Sequence, residues 1–122
     1  MENKIEFVNS KHIDNYLGLL KQFPKEREYD FDIALKLLSI EEVYCITKDY
    51  INEMGINFKE LLKDSRIAKN GLFICELAYS LVSKFFQVKS ISSTRKLDSD
   101  TRNFIIDLLY MYNPIENKVN GL

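Results

Sequence analysis

The run from Gly71 to Phe86, GLFICELAYSLVSKFF, limits the fold more than any other part of this chain. On a helical wheel Glu76, Ser80, Ser83 and Lys84 fall in one sector about 100° wide. Everything else except Gly71 is apolar: Leu72, Phe73, Ile74, Cys75, Leu77, Ala78, Tyr79, Leu81, Val82, Phe85 and Phe86. A helix that is apolar over most of its circumference must be enclosed by other elements. The run therefore predicts an all-α fold, a single compact bundle of about five to six helices packed around a buried central helix at 71–86.

The 122 residues suffice for one domain, expected to span 1–122, and 46% of them are hydrophobic, so one core can be buried without metal or disulfide staples. The formal net charge of −1 argues neither for nor against nucleic acid. Cys45 and Cys75 lie in apolar stretches of predicted helices, and no CxxC or Cys/His ligand spacing exists. They read as two small buried hydrophobes in a reducing compartment, with a buried disulfide or a reactive thiol as alternatives. The opening MENKIEFVNSKH lacks the apolar centre of a signal peptide. The central helix is interrupted by Glu76 and Lys84 and is shorter than the roughly 20 residues a membrane span needs. The expectation is a cytoplasmic protein with no membrane partner.

Pro24 and Pro114 are the only prolines, and glycine occurs only at 18, 55, 71 and 121, so most of the chain can be helical. Residues 1–8 read as an N-terminal arm. A first helix follows from about Ser10 to Gln22, capped by Asn9 or Ser10, with Ile13, Tyr16, Leu17 and Leu20 as its inner stripe. Pro24 ends it. A second helix runs from about Asp30, its cap, to Leu38, with Ala34, Leu37 and Leu38 on one side. Ser39 and Glu42 have the spacing of a capping box. A third helix then covers about Ile40 to Glu53, with Gly55 as a left-handed stop. Asn57 caps a turn over Phe58 to Lys63, and 64–70 is either helix or turn. The segment 87–97 has no helical stripe and reads as a loop, with a brief strand at Val88 to Ile91 as an option. Asp98 or Ser99 caps a last helix to about Tyr112, with Phe104, Ile105, Leu108, Leu109 and Tyr112 inward. The tail 113–122 is expected to be flexible.

No set of residues points to a catalytic centre, a cofactor or a bound metal. The lone histidine, His12, has Tyr16 where a second metal ligand would stand. It is either a backbone-bonded structural residue or half of a nucleophilic pair with a spatial neighbour. Glu26, Glu28, Asp30 and Asp32 could hold a cation, but they lack the glycine of a calcium loop, and acids are what a helix start favours. Glu76 could be a buried acid with a raised pKa. Its sector-mates Ser80 and Ser83 place it instead on a rim that meets solvent or a polar contact. Lys89, Arg95 and Lys96 share a hydroxyl-rich loop that is either solvated or able to hold a phosphate or sulfate. That loop contains no glycine, unlike a phosphate-cradling loop.

Charge is uneven along the chain. Residues 26–64 carry ten acids against five bases, a net of −5, and residues 65–97 six bases against one acid, a net of +5. Opposed regions can pair two copies head to tail as a homodimer, dock a charged partner, or neutralise each other within the fold. The second and third helices have helix-turn-helix spacing. The would-be reading helix, however, opens on Glu41 and Glu42, which DNA phosphates repel.

Phe7-Val8-Asn9 followed by His12 and Tyr16, Tyr29-Asp30 before a Leu-rich helix, and Leu77-Ala78 carry a resemblance. The chain resembles small all-helical proteins of unknown function from phages and mobile elements of low-GC Gram-positive bacteria, whose opening reads Phe-x-Asn-x-x-His-x-x-x-Tyr. The likeness spans the first 110 residues or so and rests mostly on hydrophobic spacing. It implies a bacterial accessory protein of immunity, anti-defence or host-takeover type and brings no active site with it. The leading expectation is a non-catalytic protein that binds another protein through aromatic anchors, Tyr50, Tyr110 and Phe23, oriented by its charged patches. The alternatives are a nucleic-acid-associated regulator using the basic 66–96 segment, and a small hydrolase or metal enzyme in which His12 and the acids of 26–32 share one pocket.

Overall fold

A computed structural model describes residues 7–23, 29–67, 69–83, 88 and 97–112. The chain is mostly helical: α1 (Ser10–Leu20), α2 (Tyr29–Leu38), α3 (Glu41–Thr47), a 3₁₀ turn (Lys48–Tyr50), a minimal hairpin of β1 (Ile51–Asn52) and β2 (Gly55–Ile56), α4 (Phe58–Leu61), α5 (Lys69–Val82) and α6 (Ser99–Tyr112). Among the described residues no helix is long and apolar enough to cross a membrane.

The expected central helix exists as α5 and begins two residues earlier than the apolar pattern suggests. Phe73, Ile74, Cys75, Leu77 and Ala78 are buried. Its main partner is α2, where Ile33, Ala34, Leu35, Leu37 and Leu38 are all at most 2% exposed. The centre is thus a pair of enclosed helices rather than one shaft. The far end of α5 reaches the surface, with Val82 37% exposed, and residues 84–87 lie outside the described residues. A methyl group on Gly71 would stand 2.8 Å from Val43 Cγ1, so α5 and α3 approach as closely as a bare Cα allows. Phe104, Ile105 and Leu108 of α6, together with Leu97, close the core.

Several local expectations hold. The Asn9 side chain caps α1 by accepting from the His12 amide, Asn57 caps α4 by accepting from the Glu60 amide, and Asp98 accepts from the Thr101 amide ahead of α6. Others are corrected. α1 is rotated from its expected orientation: His12, Asn15, Tyr16 and Leu19 face inward, while Ile13 (37% exposed) and Leu17 (50%) face out. Asp30 does not precede α2 but lies in its first turn. The capping box is not formed. Ile40 occupies the position before α3 without a side-chain cap, and Ser39 Oγ turns back to donate to the Lys36 carbonyl. The third helix stops at Thr47 instead of Glu53. In its place stands the hairpin, where Ile51 pairs with Ile56. The Met54 amide donates to Asn52 Oδ1, and Gly55 takes φ +139°, a conformation open to a residue without a side chain. A hairpin of two-residue strands is too short to leave an alternating pattern in sequence.

Candidate functional site

Polar chemistry concentrates where α2 ends. The last carbonyls of a helix have no partner within it, and here they lie inside the protein: Leu37, Leu38 and Ser39 are fully buried and Ile40 is 2% exposed. Each is satisfied. The Ser39 amide donates to the Leu35 carbonyl and the Ile40 amide to that of Leu37. The Lys36 carbonyl accepts from His12 Nε2 at 2.7 Å and from Ser39 Oγ at 2.9 Å. Thr47 Oγ1 donates to the Leu38 carbonyl at 2.7 Å, and Asn15 Nδ2 to the Ser39 carbonyl at 3.1 Å. Two residues from α1, one from α3 and one from the turn thus complete the end of a helix that water does not reach.

This geometry fixes the chemistry of His12. Its Nδ1 accepts from the Val8 amide at 2.9 Å, so it is unprotonated and the ring proton sits on Nε2. Burial lowers its pKa from the usual histidine value, the Lys36 carbonyl bond opposes that shift, and the nearby Lys36 ammonium adds to it. The ring is a neutral strut with both nitrogens committed to main-chain groups. It stands edge-on to Phe7 and Phe104. Of the acids expected beside it, Asp32 accepts from the Tyr16 hydroxyl instead, and Glu26 and Glu28 lie outside the described residues. Among the described residues no three His, Cys, Asp or Glu side chains gather as metal ligands.

Glu76 does not meet solvent. It is 7% exposed, within α5 beside the fully buried Cys75, whose thiol is pushed up to about 12 by burial first and by the Glu76 carboxylate second. That thiol is inert at neutral pH. Cys45, expected to be buried, is exposed, and both cysteines are free.

The expected anchors differ among themselves. Tyr110 is 65% exposed. Phe23 is half-buried, edge-on to Phe31 at 5.0 Å. Tyr50 is also half-buried, and its hydroxyl donates to Asp64 Oδ2 at 2.6 Å. Asp64 in turn pairs with Arg66, which reaches Asp49 at 3.4 Å. The guanidinium and the Tyr50 hydroxyl hold the Asp64 carboxyl well below the usual carboxylate range. Arg66, the first cation of the basic segment, is therefore neutralised within the fold. Lys89, Arg95 and Lys96 lie outside the described residues.

A hollow of about 240 Å³ opens between the starts of α1, α3 and α6, lined by Val8, Asn9, Ile40, Glu41, Glu42, Asp98 and Thr101. Its carboxylates stand at helix starts, where the backbone favours negative charge. Asp98 is held ionised mainly by the Thr101 amide.

Sequence reasoning missed Asn15, Ser39 and Thr47 as the caps of α2, and Ile13 and Leu17 as outward residues. Five large apolar residues occupy α1 between positions 13 and 20, and their spacing alone does not select which of them meets the core. Compared with known proteins, the chain matches no family model, no curated protein and no solved structure.

Proposed function

We propose that the protein is a non-catalytic accessory protein that acts by docking another protein. The observation that carries this reading is the inversion of α1. Ile13 and Leu17, one turn apart, face out at 37% and 50% exposure while His12 and Asn15 face in. Apolar side chains held outside in favour of buried polar ones are the kind of surface that marks interaction sites. α6 repeats the spacing with Ile106 and Tyr110, 56% and 65% exposed. A fully buried Leu or Ile contributes about 1.5–3 kcal/mol, so half-exposed residues retain part of that for a partner. An immunity or anti-defence role is supported by the resemblance to mobile-element proteins.

The test is capture of partners from a bacterial host lysate by the wild type and by an Ile13→Glu/Leu17→Glu variant whose helicity is checked by circular dichroism. Loss of the same captured protein from the folded variant is expected. Its full retention would overturn this reading. Binding should persist as salt is raised, because phosphate contacts weaken steeply through counterion release and apolar ones do not.

A further inference from the structure

Phe7 and Val8, ahead of α1, meet the body around the His12 imidazole. The Val8 amide donates to His12 Nδ1, and the Phe7 ring lies 5.1 Å from the His12 ring and 5.3 Å from that of Tyr16. The Lys36 ammonium stands 5.5 Å from the centre of Phe7 and 5.8 Å from that of Tyr16. The other ring nitrogen donates to the Lys36 carbonyl, and the ring meets Phe104 of α6 at 4.8 Å. We propose that His12 is a proton-operated latch: protonation at Nδ1 releases residues 7 and 8 from the body while the tie between α1 and α2 stays closed.

The two bonds respond to a proton in opposite ways. The Val8 bond needs the lone pair on Nδ1. An imidazolium carries a proton on each nitrogen, so one N–H would face another and the bond ends. The Nε2 bond gains strength, because its donor becomes positively charged. Its acceptor, moreover, is a carbonyl in the last turn of α2, where a helix carries partial negative charge. Moving Phe7 and Val8, half-buried against the core, gives up only their own contacts. Separating α1 from α2 would strip the partners from the buried helix end.

Among the described residues, few groups face the ring. Residues 7–9 present Phe7, Val8 and Asn9 and α6 presents Phe104, all uncharged. α2 presents the Lys36 ammonium, with Asp32 further along it on the Tyr16 hydroxyl. Burial and that ammonium keep the latch closed at neutral pH. Once open, Val8 leaves the wall of the hollow between α1, α3 and α6, and Phe7 uncovers Tyr16.

The experiment is a pH titration of the isotopically labelled full chain by NMR from pH 8 to pH 4, following the His12 ring nitrogens and the hydrogen-exchange protection of single amides. The expected result is that protection at Val8 falls about tenfold per pH unit as pH drops from the ordinary histidine value of 6.5 toward the ring's own lowered pKa, where Nδ1 protonates. Ala34 and Ile74 should keep theirs. A His12→Gln variant should show no pH dependence at Val8, and if it does not fold, the wild-type titration decides alone. A ring that stays neutral throughout, unchanged protection at Val8 as the ring titrates, or loss at Val8 in step with Ala34 and Ile74 would each overturn the proposal.

Discussion

Two polar clusters in this protein use the same kinds of hydrogen bond in opposite surroundings. At the end of α2, His12, Asn15, Ser39 and Thr47 are at most 6% exposed and satisfy main-chain carbonyls without any formal charge. Around Asp64, charged and phenolic groups meet at the surface, where the side chains of Arg66 and Asp49 are 54% and 52% exposed. Removing a partner from the first leaves a carbonyl that water cannot reach, at a cost of about 1–3 kcal/mol. In the second, Arg66 and Asp49 are half in water and only the Asp64 side chain, 8% exposed, is covered, so most of what a removal strands is rehydrated, and exposed ion pairs contribute little. The number of bonds is therefore a poor guide to which cluster holds the fold together.

The largest effect should come from His12→Ala. It strands the Val8 amide, removes a donor from the Lys36 carbonyl and opens a cavity between Phe7 and Phe104, a loss of about 2–4 kcal/mol by urea denaturation at pH 7.5. Thr47→Val keeps the shape and deletes the hydroxyl on the Leu38 carbonyl, so about 1–3 kcal/mol is expected. Equal stability of this variant and the wild type would break the contrast from the buried side.

Acid should act on the buried cluster first. The folded-state pKa of His12 lies below its ordinary value of 6.5, so between the two the unfolded chain binds more protons. The stability His12 contributes is complete above pH 6.5 and falls as pH drops toward the folded pKa. The Asp98 and Asp64 carboxyls are also lowered, and their contribution is present above about pH 3.8 and lost only further into acid. Denaturation midpoints from pH 8 to 3 should show the first step and only the onset of the second, the first absent in His12→Gln.

Asp64→Asn should move the midpoint less than Thr47→Val, and its own effect should shrink as salt is added. A larger, salt-independent loss would show that the surface cluster is the structural one. The smallest effect is expected from Leu17→Glu, within about 0.5 kcal/mol of wild type because the side chain is half in water.

Much of the fold was legible in the sequence. The apolar run in α5, the caps Asn9, Asn57 and Asp98, and the inward Phe104, Ile105 and Leu108 of α6 depend on spacing and local hydrogen bonding, which neighbours in the chain decide; the Tyr112 side chain lies outside the described residues. The candidate site was not. His12 was visible as a lone histidine with two possible fates, and nothing nearby named Lys36, 24 residues away, as its acceptor. Ser39 and Glu42 had capping-box spacing, yet Ser39 caps the preceding helix because that helix ends in the interior.

What the sequence determined by itself was where α1, α4 and α6 start and that α5 is too apolar to meet water, since these follow from local capping and periodicity. Only the tertiary structure decided which face of α1 turns inward. The buried carbonyls at the end of α2 demanded donors, and rotating α1 to supply His12 and Asn15 left Ile13 and Leu17 outside. A helix end needs side-chain partners only where solvent is excluded, and that exclusion comes from the packing of distant segments.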